Sequence, residues 1–469
     1  VRAVEAVIQE QREESVHVLE ELLRIPSISA DSERAGDVKR AAEFVAGRLR
    51  RGGVETARVV ATKGHPIVCG EWLGAPDQPT VLVYGHYDVQ PIVDPGEWTT
   101  PPFDPAVRDG KIWARGSTDD KGQMLAHVLA VSAHLEAEGR LPVNVKFLIE
   151  GEEEVGSANL GPFLRSERER LACDAVVISD TAMYAPGVPT LCTGLRGIAY
   201  TELTVRGAAT DLHSGQFGGA IDNPALALAR VLAGLKDPDT GRILIDGFYD
   251  DVREPSEEER AAWRRLPEAE AGFLRAAGVP RLWGEEGWSV LERVWARPSL
   301  DVNGIWGGHT KPGESMTVLP ARASAKVSMR LVPDQRPADV AAKLERHLRS
   351  HLPPTVTLER FRDLHGGSAW TTSVGNPAVQ AAFRAVERGF GKKPVPTREG
   401  GSIPIVADFQ EVLGAPVVLM GFGLPDERPH GPDEHFDLGN FQRGILSAAH
   451  FLREIGEVGP ELRGARPRR

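Results

Sequence analysis

Apolar positions divide the chain into blocks of different rhythm. "TVLVYG" (80–85), "VNVKFLIE" (143–150), "DAVVISD" (174–180) and "APVVLMG" (415–421) are short, almost unbroken runs of Val, Ile and Leu. Such runs predict strands buried on both faces, as in a parallel sheet. Helically periodic segments separate them: Val4 to Leu23, ending before Pro26, then Lys121 to Glu138 and Asn376 to Arg388. Strand alternating with helix predicts an α/β layered fold.

The middle block has a period of two. "IAYTELTVRG" (198–207), "ARASAKVSMRLV" (321–332) and "TVTLERFR" (355–362) alternate apolar with polar or small residues. That pattern predicts an antiparallel sheet with one open face, the other covered by helices at Pro224–Leu235 and Ala338–His351. Between them lies an acidic stretch, Asp250–Arg297, holding Trp263, Trp283, Trp288 and Trp295. These aromatics are expected to form local core or interface. The expected organisation is a domain built from both ends of the chain, 1–198 and 376–469, around an inserted α+β module, 199–375.

With 469 residues the chain is too long for one ordinary core. Its 41% hydrophobic and 26% charged content are those of a globular protein. No apolar run reaches the ~18 residues of a membrane span. The N-terminal segment is acidic and periodic, unlike a secretory signal, which favours the cytoplasm. A formal charge of −11 argues against nucleic acid as a partner. Cys69, Cys173 and Cys192 are scattered and form no CxxC pair, so no disulfide framework is expected.

The chemistry collects after the apolar runs. "TVLVYG" is followed by His86 and Asp88, "VNVKFLI" by Glu150, Glu152, Glu153 and Glu154, and "DAVVIS" by Asp180. "RGSTDDKG" puts Asp119 and Asp120 before the Lys121 helix, and the loop after "APVVLMG" carries His430. Taken singly these are a capped turn, a solvated acidic turn, a helix start, a strand end and a loop histidine. Ligands in open parallel sheets bind beyond the carboxyl ends of the strands. Gathered there, two histidines and several carboxylates make a donor set for zinc, or for manganese or cobalt.

"YGHYDVQP", "WTTPPFDP", "ARGSTDDKG", "EGEEEVGS", "DLHSG", "TVLP", "REGGSIPI" and "HGPDEHF" together resemble the dinuclear-metal aminopeptidase-fold hydrolases. That family includes cytosolic nonspecific dipeptidases, carnosinases, aminoacylases, glutamate carboxypeptidases and succinyl-diaminopimelate desuccinylases. The motifs occur in the family's order, and "GHYDVQP" with "GSIPI" is most similar to the dipeptidase branch. The resemblance implies a zinc-exopeptidase-like catalytic domain, its largely parallel sheet sandwiched by helices, with a ferredoxin-like lid and dimerisation domain inserted. It implies two divalent ions per chain, zinc first, then manganese or cobalt. His86, Asp119 and Asp180 would hold one, and Asp119, Glu154 and His430 the other, with Asp119 bridging. Asp88 would orient His86, and Glu153 would be the general base, leaving Glu152 a bystander. His213 would donate to the tetrahedral oxyanion, in the family often across a homodimer. Arg330 would take the substrate carboxylate, with Thr317, Ser402 and His365 also holding substrate. The implied activity is amide hydrolysis of dipeptides or short peptides. The alternative is an amidase acting on N-acyl or N-succinyl amino acids. A non-catalytic relative ranks last, because every expected position is filled.

Overall fold

The computed structural model describes residues 2–464 except 312, 314 and 402. Helices Arg2–Glu10 and Arg12–Leu23 replace the single helix expected from Val4 to Leu23. The break falls at Gln11, whose carbonyl also accepts the Ser15 hydroxyl at 2.8 Å. Such side-chain bonds to the preceding turn bend helices. Strands β1 (Arg58–Val60), β2 (Ile67–Trp72) and β3 (Thr80–His86) follow. Next come β4 (Ala106–Arg108), β5 (Lys111–Trp113) and the Lys121–Glu138 helix, then β6 (Asn144–Glu150), β7 (Ala175–Ile178) and β8 (Thr190–Leu195). The Lys121–Glu138 helix is buried continuously from Lys121 to His134, and its buried Lys121 Nζ donates to the Leu22 and Ile25 carbonyls at 3.1 and 2.7 Å.

A second unit begins at Gly194. It contains β9 (Gly197–Arg206), β10 (Leu212–His213), β11 (Ser299–Gly307), β12 (Val318–Leu319), β13 (Arg322–Leu331), β14 (Thr357–Gly367) and β15 (Trp370–Thr371). Its main sheet runs β11-β13-β9-β14, with antiparallel neighbours throughout. One helix, Pro224–Ala233, joins β9 to β11, and another, Pro337–His351, joins β13 to β14. That is a β-α-β-β-α-β ferredoxin-like arrangement. Burial along β9 alternates strictly, so one sheet face meets the helices and the other is open. The Asp250–Arg297 stretch forms short helices, Glu257–Trp263 and Val290–Trp295 among them. Trp263 is buried edge-on against Trp295, Trp288 lies between Arg260 and Arg297, and Trp283 is exposed.

The chain then returns through the Pro377–Phe390 helix, β16 (Val395–Glu399), β17 (Val417–Leu419), β18 (His435–Asp437) and the Leu438–Glu457 helix. The large sheet runs β1-β2-β6-β3-β7-β17-β8-β15, with β16 also paired to β8. Its centre, β6-β3-β7-β17, is parallel, with β2 and β8 antiparallel at either side. β17 lies between β7 and β8, so the sheet is completed only by the C-terminal segment. The chain divides into Val1–Thr193, Thr372–Thr397 and Asp408–Arg469 as one compact unit, with Gly194–Thr371 and Arg398–Ala407 as the other. Arg398–Ala407 joins the second unit, where Arg398 donates to Glu259 Oε1 at 2.9 and 2.6 Å.

Candidate metal centre

Parallel pairing aligns the carboxyl ends of β3, β6 and β7 along one edge. His86 ends β3, Glu150 ends β6, and Asp180 stands two residues beyond β7. Asp119 comes from the loop before the Lys121–Glu138 helix, joined to Asp120 by a cis peptide. His430 arrives from the far end of the chain because β18 pairs with β5, setting His435 opposite Trp113.

His86 Nε2 lies 3.1 Å from Asp119 Oδ1 and 3.9 Å from Asp180 Oδ2. His430 Nε2 lies 2.9 Å from Asp119 Oδ2 and 3.2 Å from Glu154 Oε2. Each triad offers one ligand atom per residue within 4.8 Å of the others, and Asp119 belongs to both. His86 Nδ1 donates to the Asp88 carbonyl oxygen at 3.1 Å, so Nε2 is the ring nitrogen that faces Asp119 and Asp180. The Asp88 carboxylate does a second job. It accepts the amides of Glu153 and Glu154 at 3.2 and 3.1 Å, and so orients the turn that carries them. Gln90 Nε2 donates to Glu154 Oε2 at 2.8 Å.

The donor set fits two divalent cations. Asp119, Asp180, Glu153 and Glu154 bring four carboxyl groups together in one cluster. Burial, then the carboxylates of Asp119 and Asp120, pushes the Asp180 carboxyl well above the usual range. Burial raises Glu153 to about 7 against the pull of His86, helped by Asp119, Glu154 and Asp88. Contacts with Asp119 and Glu154 raise His430 to about 10. Asp120 Oδ1 is buried with no hydrogen-bond partner among the described residues. A cluster that holds protons so tightly has surplus negative charge, and divalent cations relieve it better than protons do. Imidazole and carboxylate donors suit zinc, manganese or cobalt alike.

The remaining acids of the run lie elsewhere. Glu150 accepts the Tyr84 hydroxyl at 2.6 Å and the Ser157 hydroxyl at 2.9 Å, and burial pushes it up to about 8. Glu152, expected to be a bystander, is buried. It accepts the His65 amide at 3.0 Å and Asn159 Nδ2 at 2.8 Å, bracing two loops.

The second unit groups the other candidates in pairs. His213 and Thr317 are neighbours across β10 and β12, where the Ser214 amide donates to the Thr317 carbonyl at 2.9 Å. Arg330 pairs with Ile198 and His365 with Tyr200, on the open face of the four-stranded sheet. The His365 ring stands edge-on to Tyr200 at 5.0 Å. Ser402 lies outside the described residues. Sequence reasoning missed Gln90, Arg115, Glu427 and Glu434. Each is polar and ordinary in spacing, and only long-range contacts single it out.

Residues 82–454 match the peptidase family M20/M25/M40. The chain is 33% identical over 468 residues to a Cys-Gly metallodipeptidase of Schizosaccharomyces pombe, covering 97% of this chain and 98% of the relative. Among solved structures it is similar to human carnosine dipeptidase 1, with TM-score 0.79 and 32% identity over 97% of this chain and 98% of that one. An M20 family metallo-carboxypeptidase, Sso-CP2 of Sulfolobus solfataricus, gives TM-score 0.81 at 32% identity over 95% and 99% of the two chains. No helix among the described residues is long and apolar enough to cross a membrane.

Proposed function

Because the chain belongs to peptidase family M20/M25/M40, we propose that this metallopeptidase is a dipeptidase. It cleaves the amide bond of dipeptides with a general base and a pair of divalent cations, zinc first among them. His86, Asp119 and Asp180 would hold one cation, and Asp119, Glu154 and His430 would hold the other. The observation that carries this reading is the pair of triads sharing Asp119.

When bound, the cations polarise a scissile carbonyl and lower the pKa of the attacking water. Glu153 accepts the proton from that water and returns it to the leaving amine. Burial and neighbouring carboxylates raise its affinity for a proton, as a base requires. Asp88 fixes where the base sits by holding its amide. His213 donates to the oxyanion. Its Nδ1 accepts the Gly215 amide at 3.0 Å, so the neutral ring carries its proton on Nε2 and is a donor without being charged. Arg330 offers a planar fork for the substrate carboxylate, and Thr317, Ser402 and His365 complete the grip.

The reading includes a homodimer formed through the second unit, with His213 serving the partner's cations. Supporting it, edge strand β11 pairs only with β13 among the described residues, yet exposes Val302, Ile305 and Trp306. The test is a substrate panel with Zn²⁺ or Mn²⁺ supplied: Cys-Gly and β-Ala-His beside N-acetyl and N-succinyl amino acids. Turnover of dipeptides at least tenfold above the acylated amino acids is expected. The reverse order would replace dipeptidase by amidase.

A further inference from the structure

Two stretches far apart in sequence meet at the bridging ligand: the loop of Arg115–Asp120 and the loop of Arg428–His435. We propose that Arg115 and Glu434 are a positioning pair that sets the separation of Asp119 and His430, and with it the second cation position. The inference rests on the two-cation reading above.

The Glu434 carboxylate is fully buried and takes four donors. Oε2 accepts Arg115 Nη1 at 2.8 Å and the Gly116 amide at 2.9 Å. Oε1 accepts the amides of Thr118 and Asp119, both at 3.2 Å. Arg115, itself 2% exposed, lies against Trp98 and sends Nη2 to the His430 carbonyl at 3.0 Å. His430 has φ of +66°, a left-handed conformation uncommon for a side-chain-bearing residue, and that contact anchors its carbonyl.

The location of these bonds separates a positioning role from general support. A fold anchor could grip either loop anywhere. Here one end of the pair holds the amide of Asp119, and the other holds the carbonyl of His430. Each link therefore acts on the backbone of a ligand residue, where a shift passes straight to the donor atom. The pair is also asymmetric. Asp119 contributes to both triads and His430 to one. Disturbing the Arg115 end should weaken chiefly one cation, because Glu434 keeps its three backbone donors, and disturbing the Glu434 end should affect both.

Two variants read this out. Arg115→Lys keeps the buried charge beside Glu434, but one ammonium lacks the fork that reaches Glu434 and His430 together. Glu434→Gln keeps the shape and turns an amide nitrogen toward donors. Metal-stripped proteins are titrated with Zn²⁺ alone against a chromophoric chelator, and Tm is recorded for each. Arg115→Lys should bind the first ion within about threefold of wild type. The second should weaken by roughly 10–100-fold, the usual effect of removing a group that orients a ligand. Glu434→Gln should weaken both ions by about tenfold or more. Leu49→Ala, in the buried face of the Ala35–Arg51 helix, is the control: it lowers Tm and leaves both affinities in place. Wild-type affinity for both ions in Arg115→Lys overturns the proposal. So does equal weakening of both ions in that variant, which marks general support. If Arg115→Lys does not fold, Glu434→Gln decides, and unchanged binding there overturns the proposal too. A wild-type protein that takes fewer than two ions removes the two-cation reading itself.

Discussion

Glu150→Gln should make the metal-stripped protein more stable at neutral pH. Glu150 ends β6 behind Tyr84, with 1% of its surface exposed, and its oxygen Oε1 receives both hydroxyl donors. Burial raises its carboxyl from 4.5 to about 8. Between pH 4.5 and 8 the unfolded chain therefore binds fewer protons at this residue than the folded one, and stability falls as pH rises. Below 4.5 both states are protonated and nothing is lost; above 8 the loss is complete. At pH 7 the gap is about 2.5 units, or roughly 3 kcal/mol at 1.36 kcal/mol per unit. Glutamine keeps the acceptor oxygen and never ionises, so it should recover about 1–3 kcal/mol at pH 7 and nothing at pH 4. The assay is the urea midpoint of stripped wild type and variant at intervals from pH 4 to 8.5. The two curves should meet at the acid end and diverge upward. A variant less stable than wild type at pH 7 would show that Glu150 is charged in the folded protein and needed as an anion, which refutes the argument.

Four further outcomes follow from the geometry. Glu153→Gln should lower kcat by about 10²–10⁴, the usual contribution of a general base, while metal analysis still finds two ions per chain. Chelation should abolish activity, and His430→Ala should lose one ion of the two on dialysis; full occupancy in that variant would remove His430 from the ligand set. Glu152→Ala should lower stability by about 1–2 kcal/mol in chemical denaturation, since the part-buried His65 amide and Asn159 Nδ2 lose their acceptor. His213→Ala should reduce kcat by about 10²–10³ with metal content unchanged. Mixing it with Glu153→Gln under demonstrated subunit exchange should restore activity, and no recovery would rule out action across a dimer.

Much of the fold is readable in the chain because its signals are local. The buried central strands show as unbroken apolar runs, since a strand covered on both faces has no polar side to alternate. β9 and β13 show the period of two that an open face imposes. What escapes such reading depends on contacts across the chain. Gln11 looks helical like its neighbours, and the break there coincides with a hydroxyl bonded to its carbonyl from four residues away. Arg398 lies beside the C-terminal strands in sequence, yet its carboxylate partner is 139 residues earlier. Glu434 and Asp433 are adjacent acids, and only the amides of the loop before Lys121, more than 300 residues upstream, pick out the first.

The acidic run shows why spacing alone cannot assign charge. Glu150, Glu152, Glu153 and Glu154 lie within five residues, and a helix or strand period would put some of them on a common face. The chain instead leaves β6 at Glu150 and enters a short turn at Glu153. Glu150 remains inside with the Tyr84 and Ser157 hydroxyls, where burial pushes its carboxyl up to about 8. Glu152 points back to His65 and Asn159. Glu153 and Glu154 are set by the two oxygens of one residue, Asp88, through their amides. Asp88 is itself fixed two residues beyond His86, so the same short segment supplies one candidate metal ligand and aims the turn carrying another. Dividing the four lessens their repulsion: Glu150 sits with two hydroxyls and has its carboxyl pushed up by burial, Glu152 is bonded to neutral donors, and Glu153 and Glu154 stand beside the candidate cation sites.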